Sequence, residues 1–239
     1  MALVLLALGL LGLRPSPANA QPIAASPLEN ANRAGSGFGW DQTWVLTLGY
    51  SRGVDQLVGL DGVQVDAGLA LPLTQIPRAN AFKLWLGGQR FWSAPGFGLV
   101  TASHLTSVLT NDPTGRKLGL GGELSLRPGY YAADWSVALE VAGRLALSTY
   151  IWHSERVRDL YAERYPDGSG AQDGPQDGWY WLPAARYHLG VAAGWLPSRS
   201  FELSGVIGFD YSPQVEGVID NASIGGVPFY IRGEGAYRW

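Results

Sequence analysis

The stretch that decides the fold is Ser136–Ser148, SVALEVAGRLALS. Alternate residues from Val137 are Val137, Leu139, Val141, Gly143, Leu145 and Leu147; the intervening ones are Ser136, Ala138, Glu140, Ala142, Arg144, Ala146 and Ser148. Successive side chains of a β-strand point to opposite faces. One face is therefore bare aliphatic, and the other is made of small residues carrying one Glu and one Arg. A soluble barrel or sandwich would bury the aliphatic face and put Ser, Glu and Arg in solvent. A water-facing strand surface, however, favours Thr, Lys, Glu and other large polar side chains. Small residues suit the crowded inside of a narrow closed barrel. Length points the same way. Soluble strands have a mode of about 5–6 residues, whereas this alternation persists from 136 to 148.

The same period recurs along the chain. It is present in Thr43–Ser51, Val63–Leu71, Phe82–Gly88, Lys117–Arg127, Tyr180–Trp195, Phe201–Tyr211 and Val227–Trp239, with a weaker strand at Phe97–Leu109. Turn signals punctuate the runs at Asn111–Gly115, Arg127–Gly129 and Pro197–Ser200. Aromatic residues gather at strand ends: Trp135, then Tyr150 and Trp152; Trp179 and Trp181, then Trp195. From Trp181 to Trp195 a tilted strand rises roughly 35 Å, which suits two interfacial girdles around an apolar band about 25 Å tall. Lipid on one side and a tight polar lumen on the other accounts for both faces. In lipid the sheet must close, because no backbone group can be left unpaired. A register slip of one residue would push Arg144 into hydrocarbon at a cost of about 2–4 kcal/mol, with Glu140 adding less.

Composition narrows the function classes. Charged residues are 15% of the chain, lysine occurs only at 83 and 117, and the net charge is −3. There is no basic footprint for nucleic acid. The absence of cysteine excludes disulfides, thiolate metal sites and cysteine nucleophiles. No cofactor or metal is expected. Leu3–Leu13 is an apolar run of signal-peptide length, and Ala18-Asn19-Ala20 is a small-x-small cleavage site. The expected organisation is a cleaved signal peptide at 1–20, a flexible segment at 21–39 and a barrel at 40–239, with a long surface loop at 149–178. Val157, Leu160, Tyr161 and Arg164 predict a short helix in that loop, ending at Pro166-Asp167-Gly168.

With its exported start, its dyad-patterned strands and its terminal AYRW, the chain resembles the outer-membrane β-barrel proteins of Gram-negative bacteria. The resemblance covers the whole mature chain at the level of the class, and no subfamily is identified. It implies an all-β, closed antiparallel transmembrane barrel in the bacterial outer membrane. It also implies that Phe229, Ile231, Tyr237 and Trp239 form a C-terminal signal for the barrel-assembly machinery. Nine strands are countable, but bacterial single-chain barrels have even numbers. The missed or false strand lies in 21–40 or around Phe97–Leu109. Ten strands are expected, with eight as the alternative.

The expected lumen face carries Asp66, Glu123, Glu140, Glu202, Asp210 and Glu234 against Lys83, Arg127, Arg144, Arg186, Arg232 and Arg238, with His188 beside Arg186. Six charges of each sign in a narrow barrel should pair, because isolated buried charges are costly. This favours a structural or interaction role over an open pore, with outer-membrane lipid around the barrel and the 149–178 loop as the surface for a protein partner. A small-solute channel is the first alternative.

An outer-membrane lipid-modifying hydrolase is the second, resting on His153, Ser154 and Glu155. Hydrolysis needs Ser within hydrogen-bond reach of His, yet neighbours on a strand face opposite ways. Ser154 is more simply a helix N-cap. Asp167, Asp173 and Asp177 lack the spacing of an EF-hand, and Gly119, Gly121 and Gly122 lie within one strand, not between a strand and a helix.

Overall fold

The computed structural model describes residues 14–15, 32–41, 44–57, 60–73, 82–94, 97–165, 175–181, 184–211 and 229–239. The fold is all-β, a closed antiparallel barrel of ten strands. These are β1 Asn32–Asp41, β2 Trp44–Leu57, β3 Leu60–Pro72, β4 Phe82–Ala94 and β5 Phe97–Asp112. They continue as β6 Gly115–Tyr131, β7 Trp135–His153, β8 Ala184–Ser198, β9 Phe201–Tyr211 and β10 Phe229–Arg238. Each strand pairs with its neighbours in sequence, and β10 pairs back onto β1 from Tyr230↔Asp41 to Arg238↔Arg33. Reciprocal backbone bonds between Asn32 and Trp239, at 3.0 and 3.1 Å, fasten the two ends of the chain's circuit. Closure pairs the first and last barrel strands with each other, so neither is left as a free edge.

The ladder is staggered. A path from Arg33 through Ser51, Asp66, Gly87, His104, Glu123 and Arg144 reaches Arg186, where it leaves the sheet because β9 pairs only from Tyr187 onward. Such a stagger means strands tilted to the barrel axis by roughly 35–45°. The connections sort by end. β2–β3, β4–β5, β6–β7 and β8–β9 turn tightly at the end that also holds Asn32 and Trp239, the terminal end. The long connections, Pro72 to Phe82, His153 to Ala184 and Tyr211 to Phe229, are all at the other, the loop end.

β1 is the strand missing from the sequence count. It occupies much of the segment expected to be flexible, so the barrel begins at Asn32 and not at 40. Its inward row is Arg33, Gly35, Gly37 and Gly39, which erases the apolar period. These glycines answer to close packing, not to turns. A Cβ on Gly37 would lie 2.9 Å from the Gly233 carbonyl oxygen, and one on Gly39 would lie 2.7 Å from Arg232 Cα. Of the expected signal peptide, only Arg14 and Pro15 are described; they pair with Ser93 and Trp92. The remainder of 1–31 lies outside the described residues.

Three boundaries differ from expectation. First, Arg127–Gly129 is not a turn: β6 runs on to Tyr131. Pro128 has no N–H to give, and the ladder to β7 lapses between Leu126↔Val141 and Gly129↔Ala138 without changing register. Second, Tyr180–Trp195 is two pieces. Gly178–Tyr180 pairs with Ile151–Thr149, and β8 starts at Ala184. Trp181 therefore stands outside β8. Third, β7 extends to His153, so the long connection is shorter than 149–178. It contains helix α1, Glu155–Arg164. The predicted stop at Pro166-Asp167-Gly168 lies outside the described residues.

β7 also carries a bulge. Leu147 is the extra residue between Leu120↔Ser148 and Gly121↔Ala146. One extra residue reverses the parity of everything beyond it. Thr149 and Ile151 consequently face inward and are buried, while Ser148, Tyr150 and Trp152 take the outer face. The sequence period placed Ser148 on the polar side.

The two faces are chemically opposite. Leu139, Val141 and Leu145 are 46%, 40% and 44% exposed, whereas Glu140 is 6% exposed. The same holds around the barrel, where Leu86, Leu105, Leu124, Leu189 and Phe209 are open on the outside. The buried set on the inside includes Ser51, Gln64, Thr106, Lys117, Ser125, Glu202, Asp210 and Arg238. Apolar residues on the inside include Phe91 with Val100, capped by Tyr131 near the terminal end, and the buried Ile151 and Val206.

Candidate functional site

The chemistry of this chain is concentrated in the lumen, where the strands converge their charged residues. At the terminal end, Glu202 on β9 accepts from Arg238 at 2.6 Å and from Arg33 at 3.3 Å, and Arg33 also reaches Glu234 at 2.6 Å. This cluster spans the β9–β10–β1 seam. Further in, Arg127 Nε donates to Glu140 at 2.8 Å, and the Tyr131 hydroxyl donates to the Arg127 carbonyl at 2.8 Å. Lys83 Nζ lies 2.6 Å from Glu123, and His104 Nε2 lies 2.8 Å from Asp66. Asp210 pairs with both Arg186 and His188. Arg144 stands in register between Glu123 and Arg186. Arg232 lines the same space but has no ion pair among the described residues.

All thirteen lumen residues read from the sequence thus lie on the inner face. Five were not singled out: Arg33, His104, Lys117, Trp85 and Tyr230. Arg33 was lost with β1. His104 fell where the phase of β5 was ambiguous; the ladder Gly87↔His104↔Glu123 settles it as inward. A uniform register holds the pairs together, because a one-residue slip would move every one of these charges to the outer face. Desolvation offsets much of the Coulombic gain of buried pairs, but removing one partner leaves a costly uncompensated charge.

Small residues make room for two large ones. A Cβ on Gly68 would collide with the Trp85 indole, which lies along the wall over β3 toward Gly49. A Cβ on Gly190 would sit 2.6 Å from the Tyr230 hydroxyl, and one on Gly208 2.9 Å from its ring. Tyr230 packs edge-on against His188, with ring centroids 5.5 Å apart. Beside Trp85, a chain of donors runs Gln89 to Gln64 at 2.7 Å and Gln64 to Ser51 at 2.5 Å. Between these walls an interior cavity of about 320 Å³ remains, lined by Lys83, Trp85, His104, Glu123, Tyr230 and Arg232 among others.

At the loop end, Ser154 is the N-cap of α1. Its side chain accepts from the Val157 N–H at 3.4 Å and donates to the Pro113 carbonyl at 2.9 Å. His153 is engaged by Asp177: its N–H donates to Oδ1 at 2.8 Å, and its Nδ1 lies 3.4 Å from the same oxygen. Ser154 and His153 are therefore held by different partners and not by each other. Asp177 also accepts from Arg158 at 2.8 Å. The His153 N–H, followed by Arg158, holds the Asp177 carboxyl below the ordinary carboxylate value. Asp167 and Asp173 lie outside the described residues. Among the described residues, no group of three or more His, Asp or Glu is placed to hold a metal ion.

The outer face is bounded by aromatic contacts at both ends. Toward the terminal end are Tyr130–Trp135 at 5.1 Å, Tyr237–Trp239 at 6.1 Å and Tyr50–Trp239 at 6.4 Å. Toward the loop end are Phe38–Trp44 at 4.9 Å, Tyr150–Trp152 at 4.4 Å, Tyr187–Tyr211 at 6.5 Å and Phe209–Phe229 at 6.3 Å. Ile231, Tyr237 and Trp239 are exposed on this outer side of β10.

Fold and site together define a closed ten-stranded antiparallel barrel with a charged, partly filled interior and an apolar, aromatic-rimmed exterior. Compared with protein-family models and with curated proteins, the chain matches none.

Proposed function

We propose that this protein is an integral outer-membrane β-barrel of the Gram-negative type, with a structural or interaction role. The observation that carries the reading is the inversion of the usual globular pattern, with aliphatic side chains outside and the charge network inside. About 20 Å of tilted strand separates the level of Tyr187 from that of Trp195 on β8. Added to the depth of the rings, that suits a hydrocarbon band about 25 Å tall. The apolar exterior would be costly in water and is matched to lipid. The connections fit as well: tight turns at the end carrying Asn32 and Trp239 suit the periplasmic side, and the long ones suit the outside. In this reading, residues 1–20 direct export. Phe229, Ile231, Tyr237 and Trp239 present the outward aromatic face of the last strand to the assembly machinery.

Interaction is assigned to the loop end. α1 buries none of its residues against the barrel and is positioned by the Ser154 cap and the Arg158–Asp177 pair. Ion pairs that cross the lumen favour a closed interior over a wide pore. Carbonate extraction of membranes from cells expressing the full chain tests the membrane assignment. Retention in the pellet is expected, and release into the carbonate wash overturns it. Conductance after planar-bilayer reconstitution tests the channel alternative, for which steady current is the required result.

A further inference from the structure

The lumen is not paired one cation to one carboxylate in the way the sequence suggests. Arg33 joins the inward cations and is held by Glu202 and Glu234. Around the interior cavity the described basic and acidic side chains are equal in number, five of each, and Arg232 is the cation left without an ion pair among the described residues. Lys83 has one carboxylate partner, Glu123, and faces the like charges of Arg144 and Arg232. Arg232 is exposed to the cavity and makes no hydrogen bond or ion pair among the described residues. Its inward neighbour on β10, Tyr230, is 6% exposed, lines the same cavity, and has a hydroxyl with no hydrogen-bond partner among the described residues. A guanidinium without a carboxylate is a strong donor pair for a planar or tetrahedral oxyanion.

We infer that the lumen cavity is a binding site for a small oxyanion, held by Arg232 with Lys83 opposite. The cavity, about 320 Å³, has room for such an anion with several waters, each needing about 30 Å³. Glu123 and Glu234, at the cavity wall, are already engaged by Lys83 and Arg33, which lowers their repulsion of an incoming anion. His104 and His188 are likewise paired with Asp66 and Asp210. The site therefore offers a small anion the Arg232 guanidinium, which no described carboxylate holds. The inference rests on the inner face alone and does not depend on which solvent surrounds the barrel.

The test uses the full chain folded in detergent and inorganic phosphate as the probe, read by isothermal titration and by ³¹P line broadening. Saturable binding is expected for the wild type. Arg232→Ala should weaken it about tenfold or more, the effect of losing one charge-assisted hydrogen bond. Arg90→Ala is the control: Arg90 stacks on Trp92 at 4.3 Å on the outer side, and its loss should leave binding unchanged. If Arg232→Ala does not fold, Arg232→Lys should keep binding and Arg232→Gln should lose it. No saturable binding by the wild type overturns the inference. So does binding that survives removal of the Arg232 charge, or that falls equally with Arg90. Any of these leaves the carbonate-extraction result untouched, so the two readings fail separately.

Discussion

Glu202 ties together the strands at the seam where the barrel closes. It is 4% exposed and sits between Arg238 at 2.6 Å and Arg33 at 3.3 Å, joining β9 to β10 and to β1 across the seam. Glu202→Gln keeps the shape and removes the charge, leaving two guanidinium groups facing a neutral amide. Breaking a buried ion pair from one side costs about 3–5 kcal/mol. Arg33 retains Glu234 at 2.6 Å and is 20% exposed, so the lower part of that range, about 3 kcal/mol, is the expectation here. Arg33→Ala is the informative comparison. It removes a cation but leaves Glu202 with Arg238, and should cost about 1–2 kcal/mol. Urea unfolding of the micelle-folded protein, followed by tryptophan emission, gives both numbers. The required order is Glu202→Gln worse than Arg33→Ala. A Glu202→Gln unfolding free energy within about 0.5 kcal/mol of wild type, the level of an ordinary surface change, would refute the buried lock.

Other positions make independent demands. Gly68→Ala should destabilise by about 1–3 kcal/mol and shift Trp85 emission, because its methyl would enter the space of the indole; an unchanged spectrum and midpoint would mean that Trp85 does not lie there. Ser154→Ala should cost about 1 kcal/mol of local helix stability, visible as a loss of helical circular dichroism with the β signal intact. Asp177 is held below its ordinary value near 3.8 by the His153 N–H and by Arg158. A lowered carboxylate stabilises fully above its unfolded value and loses that contribution as pH falls through the folded one. Trypsin cleavage at Arg158 and Arg164 should therefore be slow at neutral pH and fast in Asp177→Asn. Exchange protection of the His153 amide should drop only below about pH 4; protection that is flat down to pH 2 would contradict the contact.

Legibility in the sequence followed the size of the inward side chains. Where the inner row alternates with a bulky outer row, as at Val137–Leu145, period and phase are plain. Where the inner row is glycine, the alternation has nothing to alternate with. That is why Arg33–Gly39 reads as part of a flexible leader and why Arg33 is missed from the network. The bulge at Leu147 is equally silent, since an aliphatic residue inserted beside Leu145 looks like a continued period. The partners within the lumen were not legible either. Glu202 and Arg33 are neighbours only because the first and last strands close on each other. The Ser154 cap, by contrast, was readable, because it depends on residues within one turn.

The claim on which the account turns is that hydrocarbon, not water, meets the aliphatic face. The chain has no cysteine, so Leu139→Cys and Leu189→Cys each carry a single nitroxide label in protein reconstituted into lipid vesicles. Power saturation then compares collision with oxygen against collision with a water-soluble nickel chelate. The account predicts that both labels are relaxed by oxygen and shielded from the chelate. Chelate access at Leu139 equal to that of a label on exposed Leu160 in α1 would contradict it.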